Sequence, residues 1–251
     1  LAISVVYRGC AMPVAWTIVA ANQPHAWRRE WLRLLRQLRP AIPRPWTVIV
    51  LADRGLYAGW LFRRIVRLGW HPFLRINTGG TFRPDPQATY RPLTSFVPRP
   101  GMRWRGTGTA FKRPQRRLRC TLLACWEEGY TAPWLILTDL PPDASEAGWY
   151  GLRAWIEQGF KVTKRAGWPW QRTRMTEPQR AARLWLAVAV ASALAKTRSP
   201  ADFPAWAASD RRRVAVRLAW AVSASPIAKA SAPDFSASSM VQSSDTGFLR
   251  V

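Results

Sequence analysis

Apolar residues along the N-terminal third change period several times, and each change marks an element. Residues 1–20, LAISVVYRGCAMPVAWTIVA, hold two β-type runs around RGCA and predict a hairpin. In HAWRREWLRLLRQLRP, 25–40, Trp27, Trp31, Leu34 or Leu35 and Leu38 recur at helical spacing until Pro40 stops them. WTVIVLAD, 46–53, is a short apolar run of strand length ending in Asp53. A helix closed by Gly69 follows in GLYAGWLFRRIVRLGW, then a strand in HPFLRIN. Hairpin, helix, buried strand, helix and strand describe an α/β arrangement. Asp53 falls at the carboxyl end of a buried strand, the edge of such sheets where sites form.

The pattern breaks between about 77 and 131. Residues 91–119 carry nine Arg and Lys and no acid, interrupted by proline and glycine, which predicts a small β-rich insertion with irregular turns. APWLILTDL, 132–140, returns to strand. DASE, 143–146, fits a capping box with Asp143 first and Glu146 three residues on, so a helix is expected from about 144 to 165. TEPQ, 176–179, opens another helix reaching about 197, with Pro178 tolerated in its first turn. Beyond 222 the chain is rich in Ser and Ala, as in a disordered tail. The expected divisions are a core portion over 1–76, the basic insertion over 77–131, a second core portion over 132–221 and the tail over 222–251.

Charge narrows the partners. The chain has 38 Lys and Arg, nearly all Arg, against 14 acids, a formal net charge of +24. Such an excess favours a polyanion through counterion release and steering, with nucleic acid first and an anionic membrane surface second. The apolar run 184–195 is too short to span a bilayer of about 30 Å, and no signal peptide opens the chain. Cysteines at 10, 120 and 125 make no disulfide framework, and histidines at 25 and 71 are too few for a zinc module. A reducing, cytoplasmic setting without a membrane follows as the expectation.

One stretch concentrates chemistry: WYGLRAWIEQGFKVTKR, 149–165. On a helix, Tyr150, Arg153, Glu157 and Lys164 share a strip about 60° wide, bordered by Lys161, and Trp149, Leu152, Trp155, Ile156, Phe160 and Val162 take the other side. Periodicity alone also admits a solvated face with i, i+4 ion pairs worth a few tenths of a kcal/mol each.

Tyr150-x2-Arg153-x3-Glu157-x6-Lys164 resembles the signature of DDE transposases of bacterial insertion sequences. VIVLADRGLY, 48–57, resembles the segment around that family's second catalytic aspartate, and TDL, 138–140, its strand entering the final helix. The resemblance spans most of residues 1–220 and implies a ribonuclease H-like mixed sheet with flanking helices and a β-rich insertion. It also implies two-metal phosphodiester hydrolysis and strand transfer at transposon ends, with Mg²⁺, or Mn²⁺, held by Asp53 and Glu157. Tyr150, Arg153, Lys161 and Lys164 would then contact DNA, and two protomers would pair the two ends. Hard cations prefer carboxylate and water oxygens, which agrees with the scarcity of His and Cys.

In the insertion, Arg103, Arg105, Lys112, Arg113, Arg116, Arg117 and Arg119 form a candidate phosphate-contacting surface, and Trp104 a candidate base-stacking wedge. The resemblance also implies a first catalytic aspartate on the first strand. Before Asp53 the only acid is Glu30, inside an Arg-rich helix, and the chain begins with Leu. The expectation is that the first strand lies upstream, that the hairpin 1–20 represents strands two and three, and that this chain binds at most one metal ion well. A catalytically inactive, DNA-binding remnant is the alternative to an active transposase. A nuclease of the same fold and a structural basic protein are more distant readings.

Overall fold

The computed structural model describes residues 1–7, 10–19, 27–154, 175, 177–196 and 213–219. Its strands are β1 (Ala2–Tyr7), β2 (Cys10–Trp16), β3 (Thr47–Ala52), β4 (His71–Arg75), β5 (Thr81–Pro84), β6 (Arg91–Pro92), β7 (Arg103–Ala110), β8 (Leu118–Cys125), β9 (Trp134–Thr138) and β10 (Arg213–Ala219). They form one mixed sheet in the order β2-β1-β10-β3-β4-β9-β8-β7-β5-β6. β10, β3 and β4 run parallel, and the remaining neighbours pair antiparallel. The helices are α1 (Trp27–Leu38), α2 (Gly59–Arg67) and α3 (Pro178–Lys196).

Alternation along β3 separates two faces. Val48, Val50 and Ala52 join a core with Leu74, Leu122 and Leu135, covered by Trp31, Leu34 and Leu35 of α1 and Leu61, Phe62 and Ile65 of α2. Ile49 and Leu51 face the other way, with Phe73, Leu123 and Ile136, under Trp149, Tyr150 and Leu152. A strand buried on both faces reads as an unbroken apolar run, as VIVLA does. Each large side chain fully removed from water on these faces contributes about 2 kcal/mol.

The N-terminal hairpin, the strand before Asp53 and the strand after Gly69 stand where the pattern predicts them. The helix expected over 55–70 is divided. A 3₁₀ turn, Arg54–Leu56, precedes α2, and between them Ala58 is extended at φ −152°, ψ 141°. Gly69 at φ +74° closes α2, with the Trp70 N–H donating to the Ile65 carbonyl. α3 begins at Pro178, where the Glu177 carboxylate accepts from the Gln179 and Arg180 amides. Those backbone bonds lower its pKa. α3 is peripheral: Trp185, Val188 and Ala189 are buried, and Leu186, Val190 and Leu194 are exposed. Among the described residues no helix is long and apolar enough to cross a membrane.

Two expectations are corrected. The continuous helix from 144 does not form over its first turns, which are 3₁₀ segments Pro142–Ala144 and Ala147–Leu152 separated by extended Ser145 and Glu146. The Asp143/Glu146 capping box is absent because Asp143 lies inside the first 3₁₀ turn and the buried Ser145 hydroxyl donates to the Pro141 carbonyl. The rest of that expected helix, 155–165, and the expected tail, 222–251, lie outside the described residues. The segment expected as an insertion holds β5 to β8, and β8 pairs with β9, so these strands continue the central sheet.

Candidate active-site corner and basic hairpin

Asp53 ends β3 on the face covered by Trp149, Tyr150 and Leu152. Its Oδ1 accepts from the Arg54 backbone N–H at 2.7 Å and from the Tyr150 hydroxyl at 3.5 Å, and its Oδ2 lies 3.3 Å from an Arg153 guanidinium nitrogen. The Arg54 bond makes Asp53 the cap of the following 3₁₀ turn. Geometry explains why Tyr150 and Arg153 arrive together: side chains three residues apart eclipse on a 3₁₀ turn, and Ala147–Leu152 is one. Trp149 anchors that turn by stacking on Phe73 at 5.6 Å, and Trp134 meets the Tyr150 ring edge-on at 5.6 Å.

Sequence reasoning missed Arg75. Ala52 pairs with Leu74, so the next residues, Asp53 and Arg75, stand level on neighbouring parallel strands. Arg75 is buried, at 4% exposure. A strand-terminal Arg in HPFLRIN, at the same sheet edge as the strand-terminal Asp, was the available signal. The level continues through Ile136 and Leu123 to Arg105 on β7. Four strand steps of about 4.8 Å put Arg105 roughly 19 Å from Asp53 across one face.

The hairpin β7–β8 holds most of the candidate phosphate contacts, and they are not equivalent. Arg103 bonds Glu127 at 2.7 Å and Arg119 bonds Asp85 at 2.7 Å, so two of the seven cations are partly neutralised within the protein. Arg117 donates to the Lys112 carbonyl at 3.1 Å. Arg105, Lys112, Arg113 and Arg116 are exposed. A cleft of about 410 Å³ runs between Arg103–Arg105 and the turn Ser145–Gly148.

Trp104, expected as a wedge for a base, instead packs on Phe96 at 4.4 Å and Phe82 at 5.8 Å. Its ring lies so close over Gly106 that an added Cβ there would come within 2.7 Å. Tyr150, expected at DNA, is 1% exposed and meets the Asp53 carboxylate. Glu157, Lys161 and Lys164 lie outside the described residues. Glu30 sits on α1, bonded to Arg33, as the sequence predicts.

Cys120 and Cys125 are free and buried in β8. Burial raises their thiols to about 12 and about 11, so both are protonated at neutral pH. Among the described residues no three His, Cys, Asp or Glu side chains gather to hold a metal ion. At the Asp53 corner the described donors are a single carboxylate with a guanidinium already on one oxygen, which does not fit a two-ion site.

No curated protein sequence matches the chain. Residues 5–194 match the family model described as the transposase DDE domain, a span that holds Asp53, Arg75, the β7–β8 hairpin, Tyr150 and Arg153. A match over well more than half the chain places this protein in the transposase DDE domain family.

Proposed function

We propose that this chain is a DNA-engaging transposase catalytic domain that binds duplex DNA without cleaving it by itself. The observation that carries the reading is the convergence of Tyr150 and Arg153 on Asp53 across 97 positions of sequence. An incidental solvated helix face has no reason to bring two of its members to a strand-end acid. The exposed cations of the β7–β8 hairpin supply phosphate contacts, and Arg105 shares the face and level of Asp53. Asp53 and Glu157 are the protein ligands this reading gives to Mg²⁺, or Mn²⁺, and the ion would supply Lewis-acid chemistry at a phosphodiester. Glu157 lies outside the described residues, and the tasks below are those of the Asp53 corner alone.

The chain's own residues have definite tasks in that reading. The Arg54 N–H fixes the Asp53 carboxylate, Tyr150 excludes water from one side of it, and Arg153 balances its charge until a phosphate draws the guanidinium away. Pairing two transposon ends would bring two protomers together on DNA.

The test is a labelled duplex titrated with the 251-residue chain at several salt concentrations, followed by incubation with Mg²⁺. Binding that weakens steeply with salt, without strand cleavage, is expected. Cleavage by this chain that disappears in Asp53→Asn would establish an active enzyme instead.

A further inference from the structure

Among the described residues, Phe111 is the one non-glycine residue with a positive φ, +65°. A bulky L residue rarely adopts that conformation, and glycine is the default there. Two backbone bonds and a ring contact hold it. Its N–H donates to the Thr81 carbonyl at 2.8 Å, and the next amide, that of Lys112, donates to the Thr81 hydroxyl at 3.2 Å. Its ring lies against Tyr57 with centroids 5.5 Å apart, and so close over Gly80 that a Cβ added there would come within 3.3 Å of it. A glycine at 111 would keep both backbone bonds without strain, so the ring contact is what the phenylalanine adds.

Each of the two rings belongs to a turn. Phe111 opens the connection between β7 and β8, 111–117, which carries Lys112, Arg113, Arg116 and Arg117. That connection is internally bonded: the Arg116 and Arg117 amides donate to the Arg113 carbonyl at 2.9 and 3.1 Å, and the Arg117 guanidinium donates to the Lys112 carbonyl at 3.1 Å. Tyr57 ends the 3₁₀ turn Arg54–Leu56, its N–H donating to the Arg54 carbonyl at 3.3 Å, and Asp53 caps the other end of the same turn. The basic connection therefore reaches Asp53 through two rings and a single turn of backbone. Burial first, and then the Cys120 thiol, raise the pKa of the Tyr57 hydroxyl, while the charges of Arg63 and Arg116 act against that rise. A cation of the connection thus lies near the same ring.

We infer that Phe111 is a positioning residue: through Tyr57 it ties the basic connection 111–117 to the turn that Asp53 caps, so that a DNA phosphate backbone seated on those cations steadies the Asp53 carboxylate. Short 3₁₀ turns have poor hydrogen-bond geometry and open readily, so a ring docked at the end of one controls how long it stays closed. The inference rests on the proposed DNA contact of the hairpin and gives that contact a second effect, at the Asp53 corner. Phe111 acts through Tyr57 and needs no contact of its own with DNA.

Amide hydrogen exchange of the full chain, followed by mass spectrometry with and without saturating duplex DNA, tests this. Duplex should slow exchange about fivefold over 112–117 and, through the rings, over 54–57. In Phe111→Gly, which suits the local φ, the slowing should persist over 112–117 and disappear over 54–57. Phe111→Tyr, which keeps a ring, should restore it. Equal slowing over 54–57 in Phe111→Gly overturns the inference, because the turn would then sense DNA directly. Slowing confined to 112–117 in the unsubstituted chain also overturns it and leaves the DNA contact standing. If duplex slows neither segment, the DNA contact fails and the steadying role with it, and the free chain then decides the ring link. There Phe111→Gly should speed exchange at Leu56 and Tyr57 about tenfold and leave β4 unchanged, and unaltered exchange at both residues overturns the link. Should Phe111→Gly not fold, Tyr57→Leu removes the other ring and takes its place in each comparison.

Discussion

Arginine is used in two ways on one face of this sheet. At the Asp53 corner the Arg153 side chain is 15% exposed and Arg75 is buried, whereas on the β7–β8 hairpin Arg105, Arg113 and Arg116 are exposed. A desolvated guanidinium must be matched by fixed partners, so its removal registers in stability and in the geometry of Asp53. An exposed one is screened and contributes little to folding, but it remains available to a polyanion. The +24 charge that first suggested DNA is therefore a sum over residues with separate tasks.

The comparison breaks most visibly where the hairpin joins the sheet. A Cβ at Gly108 would collide with the Arg83 carbonyl and lie 2.7 Å from the Phe82 ring. Because the backbone of β5 cannot rotate aside, Gly108→Val is expected to cost about 3 kcal/mol or more in urea denaturation. Next in size, replacing Arg105, Lys112 and Arg116 together by Ala should weaken duplex binding about a hundredfold at low salt. It should also flatten the slope of log affinity against log salt by about 2 to 3, with the urea midpoint unchanged. A shifted midpoint with an unchanged slope would make the hairpin cations structural.

The smallest effect concerns the Asp85–Arg119 pair. The hydrogen bond from Arg119 holds the Asp85 carboxyl below its ordinary range. A carboxyl depressed in the folded state stabilises above its unfolded value and loses that contribution as pH falls through the folded one. Asp85→Asn should therefore lower the melting temperature slightly at pH 7 and remove the shallow decline below about pH 4, where the two proteins converge. The effect is shallow because the pair is exposed.

Much of the core was legible because β3 and α1 obey single rules: an unbroken apolar run buried on both faces, and a helical repeat ending at proline. The Asp53 strand end was legible for the same reason. Local rules failed at 143–152, where the capping pattern and the helical repeat agreed with each other and the chain nevertheless forms 3₁₀ turns. There Trp149 and Tyr150 are committed to Phe73, Trp134 and Asp53, and tertiary packing overrides the local preference. The strand-terminal position of Arg75 was visible in HPFLRIN, but its place beside Asp53 depends on the register of β3 against β4. Trp104 packs on Phe96 and Phe82, and nothing local in the sequence distinguishes such a ring from one that stacks on a base. The pairing of β10 with β1 could not be read at all, since it spans more than two hundred positions and no periodicity encodes it.

The account depends on Asp53 and Arg153 being energetically joined, and a double-mutant cycle measures that directly. Asp53→Asn, Arg153→Met and the double variant should be compared by urea unfolding at pH 7, since each residue has further contacts that the cycle cancels. A coupling of about 1 kcal/mol or more is expected for a pair this little exposed, and strictly additive single effects would contradict a shared corner.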